Sequence, residues 1–294
     1  MRGENRERYS LKMYPMNIGI VGLGLIGGSM AWDLRSLGFQ VLGVSTREQT
    51  CKRAIAKGIV DEASVNLSLM AAADVIFICT PLAAIAPTAQ QLVPHLSSAA
   101  ILTDVGSVKA PVVQSLSELW PNFVGGHPMA GTAHTGIEAA SRDLFVGRPY
   151  VITPTQSTPL LAIEKVEEIA RSLRSKVYRC SPQDHDRAVA WISHLPVMVS
   201  ASLIAACTSE IDPDIVRLAQ QLASSGFRDT SRVGGGNPEL GVMMASYNRK
   251  ELLRSLTSYR QHLDQLINDI EQEDWQALQQ QLEQTQQARG NFEF

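Results

Sequence analysis

The sequence predicts an α/β protein whose first part is a doubly wound, mostly parallel sheet and whose second part is all-helical. Three observations carry this. Short apolar runs alternate with amphipathic stretches between residues 17 and 180, the pattern of strands joined by crossover helices. Glycines stand at the joins, where helices stop and tight turns begin. After Ser181 the texture changes, and helical periodicity continues to the end with no convincing strand.

The run NIGIV at residues 17–21 reads as a buried strand, and residues 29–37 as a helix stopped by Gly38. Residues 39–44 form the second strand, and residues 51–57 a short helix that ends at Gly58. Residues 74–79 and 100–104 are further strands, separated by a helix over 84–96. Strands are expected at 123–125, 150–153 and 176–180, the last after an amphipathic helix over 159–174. In the second part, Leu252, Leu256, Tyr259, Leu263, Leu266, Ile267 and Ile270 step along one helix face. Trp275, Leu278 and Leu282 continue the period through a Gln-rich stretch.

A chain of 294 residues is long enough for two domains of about 150 residues each. The expected division is an extension at 1–15, a sheet domain at 16–181 and a helical domain at 182–294. Hydrophobic residues make up 45%, enough for a sizeable core, and the formal charge of −3 argues against binding a nucleic-acid backbone. The four cysteines include no Cys-x-x-Cys pair, so neither a zinc ribbon nor a disulfide framework is expected. With no apolar leader in the polar first fifteen residues, the reading is a reduced, cytoplasmic protein. The stretch 188–207 is apolar nearly all round and long enough to consider as a membrane span, but His194 and Pro196 lie inside it. A buried helix is the better reading. Burial on every side calls for more cover than a small helical domain supplies, so a homodimer is expected.

Gly22-Leu23-Gly24-Leu25-Ile26-Gly27 follows the first strand and opens a helix, the context that a dinucleotide fingerprint needs. Gly22 serves the tight turn, Gly24 the approach of a pyrophosphate, and Gly27 close helix–strand contact. Backbone N–H groups from Leu25 and Ile26 onward then face the diphosphate at the helix N-terminus. The first domain is therefore Rossmann-type. The second strand ends in Ser45-Thr46-Arg47 with no carboxylate, and two hydroxyls plus a guanidinium suit a 2′-phosphate, which favours NADP over NAD. Thr80-Pro81 follows the 74–79 strand at the sheet's carboxyl edge, where it either lines the nicotinamide ribose or simply turns the chain. Ser107, in DVGSVK, and His127, in GGHPMAG, leave the next two strands at that edge. An imidazole there suits removal of an alcohol proton as hydride departs, with Ser107 bonding the same oxygen or orienting the ring.

The glycine fingerprint, DVGSVK and GGHPMAGT, in this order, resemble the prephenate/arogenate dehydrogenase family of tyrosine biosynthesis. The resemblance covers residues 16 to about 285. It implies oxidation of a cyclohexadienol by NAD(P)+ with decarboxylation, His127 accepting the hydroxyl proton and Ser107 assisting. It implies further that His194 lines the substrate pocket and that Arg232 binds a substrate carboxylate. Many relatives carry glutamate where this chain has Ala133, which leaves Thr132 to reach the substrate. The Ser-Thr-Arg loop resembles NADP-using members, and Asp229 beside the substrate arginine suits an ammonium group, so arogenate is expected over prephenate. Two other readings are a β-hydroxyacid dehydrogenase, which would need a lysine in the helix over 188–207, and a non-catalytic NADP-binding sensor. The first lacks its lysine. The second does not account for Ser107, His127, His194 and Arg232 together.

Overall fold

The computed structural model describes residues 16–132 and 134–292; the expected extension at 1–15 and the departure at Ala133 lie outside them. The chain divides into two compact units, one ending at Asp186 and the other beginning at Arg187.

The first unit is built on one eight-stranded sheet, in the order β3-β2-β1-β4-β5-β6-β7-β8. Its strands are β1 (Asn17–Val21), β2 (Gln40–Val44), β3 (Glu62–Ser64), β4 (Val75–Ile78), β5 (Ile101–Asp104), β6 (Phe123–Pro128), β7 (Pro149–Thr153) and β8 (Lys176–Arg179). All neighbours pair parallel except β6 and β7, which pair antiparallel. The helices are α1 (Leu25–Ser36), α2 (Glu48–Ala56), α3 (Leu82–Leu92), α4 (Ala110–Leu119) and α5 (Leu160–Ser172), and α6 (Pro182–Val189) leads out of the unit. Chain order reverses between β1 and β4, so the carboxyl ends of these strands flank a crevice at the topological switch point. β1 and β4 are apolar along their length because helices cover both faces of a parallel sheet. Ile18, Ile20, Ile76 and Ile78 are completely buried.

Three differences from the sequence reading matter for the site. α1 begins at Leu25, so the last glycine of the fingerprint is already helical. β3 and α4 were not foreseen. β6 continues through Pro128, so His127 stands on a strand, paired with Val151 of β7, and not on the loop after one.

The second unit is helical, as expected: α7 (Leu195–Thr208), α8 (Pro213–Leu222), α9 (Ser225–Ser231), α10 (Pro238–Tyr247), α11 (Arg249–Glu271) and α12 (Trp275–Arg289). The apolar stretch 188–207 is not one regular helix. Residues Ala190–His194 form a π-helical turn ahead of α7, the insertion that re-aims one side chain in a helix. Nor is the stretch buried within the chain: along Pro182–Thr208 only 28% of the most apolar window is covered. The periodic face of α11 behaves likewise. Leu252 is buried, whereas Tyr259, Leu263, Ile267 and Ile270 are exposed.

Candidate active site

The turn between β1 and α1 lies at the carboxyl edge. Gly22 has φ +106°, and a Cβ there would sit 2.6 Å from the Cys79 carbonyl oxygen at the end of β4. Only glycine fits, because the turn is both left-handed and pressed against the neighbouring strand. Gly24, the N-cap of α1, differs: a Cβ there would meet nothing within 4 Å. Packing leaves this position open, above the N-terminal amides of α1 through Leu25 and Ile26. On the neighbouring turn the Thr80 hydroxyl is buried without a hydrogen-bond partner among the described residues, and Pro81 caps α3. An open cradle at a helix N-terminus beside an unspent hydroxyl fits a phosphate-bearing nucleotide.

At the end of β2, Arg47 is the N-cap of α2 and its backbone N–H donates to the Ser45 hydroxyl at 3.3 Å. Thr46 and Arg47 are exposed. Glu48, the nearest carboxylate, is engaged 2.9 Å from the Lys52 ammonium, whose hydrogen bond holds its pKa below the ordinary range. The side-chain positive potential at this corner therefore comes from Arg47.

β5 and β6 carry the other candidates to the same edge. Ser107 is half-buried on the loop between β5 and α4. On β6, His127 Nδ1 lies 2.8 Å from His185 Nε2, and His185 Nδ1 lies 2.8 Å from Asp186 Oδ1. The two rings meet edge to face, with centroids 5.0 Å apart. Asp186 is in turn fixed by the N-terminus of α4, where its carboxylate accepts the Lys109 N–H at 2.6 Å and the Ala110 N–H at 2.8 Å. Pro111, the following residue, has no N–H to offer. Two backbone N–H groups at a helix N-terminus are donors suited to a carboxylate. The anion makes His185 Nδ1 a donor, leaving His185 Nε2 to accept from His127 Nδ1–H. With that sense of donation, His127 would carry its proton on Nδ1. The result is a half-buried imidazole joined through a second imidazole to a carboxylate.

The sequence reading missed His185 and Asp186. They lie 58 residues or more from His127 along the chain, in the polar stretch PQDHDR. The one available signal was a His-Asp pair just ahead of the apolar helix.

Thr132 is exposed on the loop after β6, its hydroxyl accepting the His134 N–H at 3.2 Å. This loop docks on the helices beneath the crevice: the Ser141 N–H donates to the Ser29 hydroxyl at 2.9 Å, and Glu138 pairs with Arg53 at 2.6 Å and Lys57 at 2.7 Å. The hydrogen bond from Arg53, then that from Lys57, lowers the Glu138 pKa to about 2. A depressed carboxyl pKa means the tether is fully present above the ordinary carboxylate range and is lost only as pH falls through about 2.

In the second unit, His194 ends the π-helical turn and is buried, its Nδ1 3.2 Å from the Asn248 side-chain amide between α10 and α11. Arg232 is the C-cap of α9 and is exposed. The turn after it is seated on α7, where the Gly234 N–H donates to the buried Ser200 hydroxyl at 2.8 Å. Asp229 is paired with Arg228 at 3.0 Å.

A family model for the nucleotide-binding domain of prephenate dehydrogenase matches residues 30–179, and one for its dimerization domain matches residues 181–284. Among solved structures, the chain is similar to Synechocystis arogenate dehydrogenase, with 56% identity, a TM-score of 0.86, and coverage of 94% of this chain and 99% of that one. It is similar also to Aquifex aeolicus prephenate dehydrogenase, solved with hydroxyphenyl propionate and NAD+, with 27% identity, a TM-score of 0.90, and coverage of 96% and 100%. Prephenate dehydrogenase of Bacillus subtilis is 30% identical over 266 residues, 88% of this chain and 71% of that protein. A nucleotide cradle and a carboxylate-backed histidine share one sheet edge, and both domain models match in order along one polypeptide; the chain belongs to the prephenate dehydrogenase family of oxidoreductases.

Proposed function

We propose that the chain oxidises arogenate, transferring hydride to NADP+ and releasing CO2 to form tyrosine. The observation that carries the substrate is the 56% identity, over nearly the whole of both chains, to an arogenate dehydrogenase. Prephenate, giving 4-hydroxyphenylpyruvate, is the second reading, favoured by the relatives from Bacillus and Aquifex.

Bound NADP+ supplies the hydride acceptor. Gly22, Gly24, Leu25, Ile26 and Gly27 would hold its diphosphate at the α1 N-terminus, Thr80 and Pro81 would serve the nicotinamide half, and Ser45, Thr46 and Arg47 the 2′-phosphate. His127 Nε2 takes the substrate hydroxyl proton as the carbinol C–H bond breaks, and Ser107 donates to the same oxygen. His185 and Asp186 stabilise the imidazolium that results. The carboxylate leaves as CO2, its bonding pair completes the aromatic ring, and the phenolate oxygen recovers the proton from His127. Arg232 would bind a substrate carboxylate through its guanidinium fork, and His194 and Thr132 are the further residues proposed to contact substrate. The same reading makes the protein a cytoplasmic homodimer, its exposed apolar helices meeting a second copy instead of lipid.

Steady-state kinetics with both substrates and both cofactors test this. Turnover with neither arogenate nor prephenate would sink the assignment. Arg47→Ala is expected to raise KM for NADP+ about 10-fold, the cost of one charged hydrogen bond, with KM for NAD+ within about 2-fold. The opposite pattern removes NADP as the preferred cofactor. Gly24→Val separates binding from folding. Its φ of −91° suits any residue, and the position is open, so Tm should stay within about 2 °C. The cofactor Kd should rise at least about 10-fold, since the branched side chain occupies the diphosphate cradle. An unchanged Kd would place the diphosphate elsewhere.

A further inference from the structure

The side chains of Lys109 and Asp104 are completely buried and ion-paired with each other, and neither side chain belongs to the His127–His185–Asp186 chain described above. A buried charge pair is costly to desolvate, and replacing one with apolar groups is often neutral or stabilising, so its presence here asks for a reason other than stability.

The sheet supplies that reason. β5 and β6 pair only at Leu102↔Phe123 and Thr103↔Val124. Beyond Val124 the ladder's backbone bonds to β5 stop, and Gly126 pairs instead with Ile152 of β7. The ion pair replaces them. Asp104 Oδ1 accepts the Gly126 N–H at 3.3 Å, and the Lys109 ammonium donates to the Gly126 carbonyl at 2.7 Å. Asp104 Oδ2 also accepts the Gly106 N–H at 2.8 Å, next to Ser107. A Cβ on Gly126 would lie 2.8 Å from the Asp104 carbonyl oxygen, so the strand is drawn in as closely as glycine permits. The residue before Ser107 and the residue before His127 are thus tied to one buried carboxylate. From the other side, the Lys109 N–H binds Asp186, which backs His185.

We propose that Lys109 and Asp104 are positioning residues, a buried clamp across the split between β5 and β6 that sets Ser107 and His127 in register with each other. The mechanistic consequence rests on the proposed function; the positional one does not. Lys109→Met removes the donor to Gly126. Because it also strands a buried Asp104 charge, Lys109→Met/Asp104→Asn is made alongside it, removing both charges and keeping an acceptor for Gly106. The double variant is expected to stay folded, with KM for cofactor and substrate within about 3-fold and kcat reduced about 100-fold, the cost of a displacement near 1 Å. The ring N–H resonance of His127 in a nitrogen-15 spectrum should shift as its bond to His185 is lost. A role confined to stability predicts instead that the double variant recovers both kcat and the resonance. A folded double variant with an unmoved resonance, or with kcat within 3-fold of wild type, overturns the proposal. A wild-type protein that turns over neither substrate defeats the functional reading, while the resonance still decides the clamp.

Discussion

His127→Asn is expected to lower kcat about 1,000-fold while leaving the cofactor Kd within about 2-fold of wild type. General-base catalysis by a positioned side chain contributes about 10²- to 10⁴-fold, and asparagine cannot take a proton at neutral pH. The substitution is close in size and preserves a polar group facing His185, so the strand pairing of His127 with Val151 should persist. The cofactor residues proposed here lie on the turns after β1, β2 and β4, none of which His127 supports. The split between kcat and Kd is therefore the informative measurement. A loss shared equally by both would mean that His127 shapes the crevice instead of moving a proton, and an unchanged kcat would remove it as the base. Pre-steady-state measurement of reduced-cofactor absorbance separates this chemical step from product release.

Much of the first unit was legible in the sequence because parallel strands buried on both faces read as uninterrupted apolar runs. NIGIV coincides with β1, and the run before Thr80 with β4. The sheet's departures from that pattern were not legible. β3 has three residues, too few for any periodicity. The end of β6 is Gly-Gly-His-Pro, which by local preference reads as a turn. Antiparallel pairing with β7 overrides that preference and puts the histidine on a strand. The site divides the same way. Residues proposed to act through the backbone or at a strand end, such as Gly24 and Arg47, announce themselves by position. Those proposed to act through another side chain do not: His185 and Asp186 sit in a polar stretch resembling any exposed helix start. Lys109 was visible in DVGSVK, but its burial against Asp104 depends on a gap between two strands that no local pattern encodes.

The second unit raises a different question, because its apolar residues were correctly read as periodic and yet do not form a core. None of α8, α9, α10 or α12 has a buried residue. Ile211 is 96% exposed, and Leu222 and Val242 are each 70% exposed. On α11 the groups inside are Leu252, Ser255 and Asp269, the last accepting from Gln265 at 2.7 Å and from Gln281 of α12 at 2.8 Å. A polar latch thus joins α11 to α12 on the inside, and the leucine and isoleucine stripe faces out. Apolar exposure on this scale marks an interface, and the match of residues 181–284 to a dimerization-domain model supports the proposal that a second copy covers it. Sedimentation should accordingly give a mass near twice the 32.1 kDa of one chain. Leu263→Asp/Ile267→Asp places two carboxylates on the stripe. Each would cost about 3 kcal/mol or more to bury, so together they should weaken association more than about 10⁴-fold. The variant is expected to sediment as a monomer, to melt at least about 10 °C lower, and to lose turnover, since His194 and Arg232, the proposed substrate residues, depend on these helices for their positions. A variant that remains dimeric with wild-type Tm would show that the exposed face of α11 is not where the two copies meet.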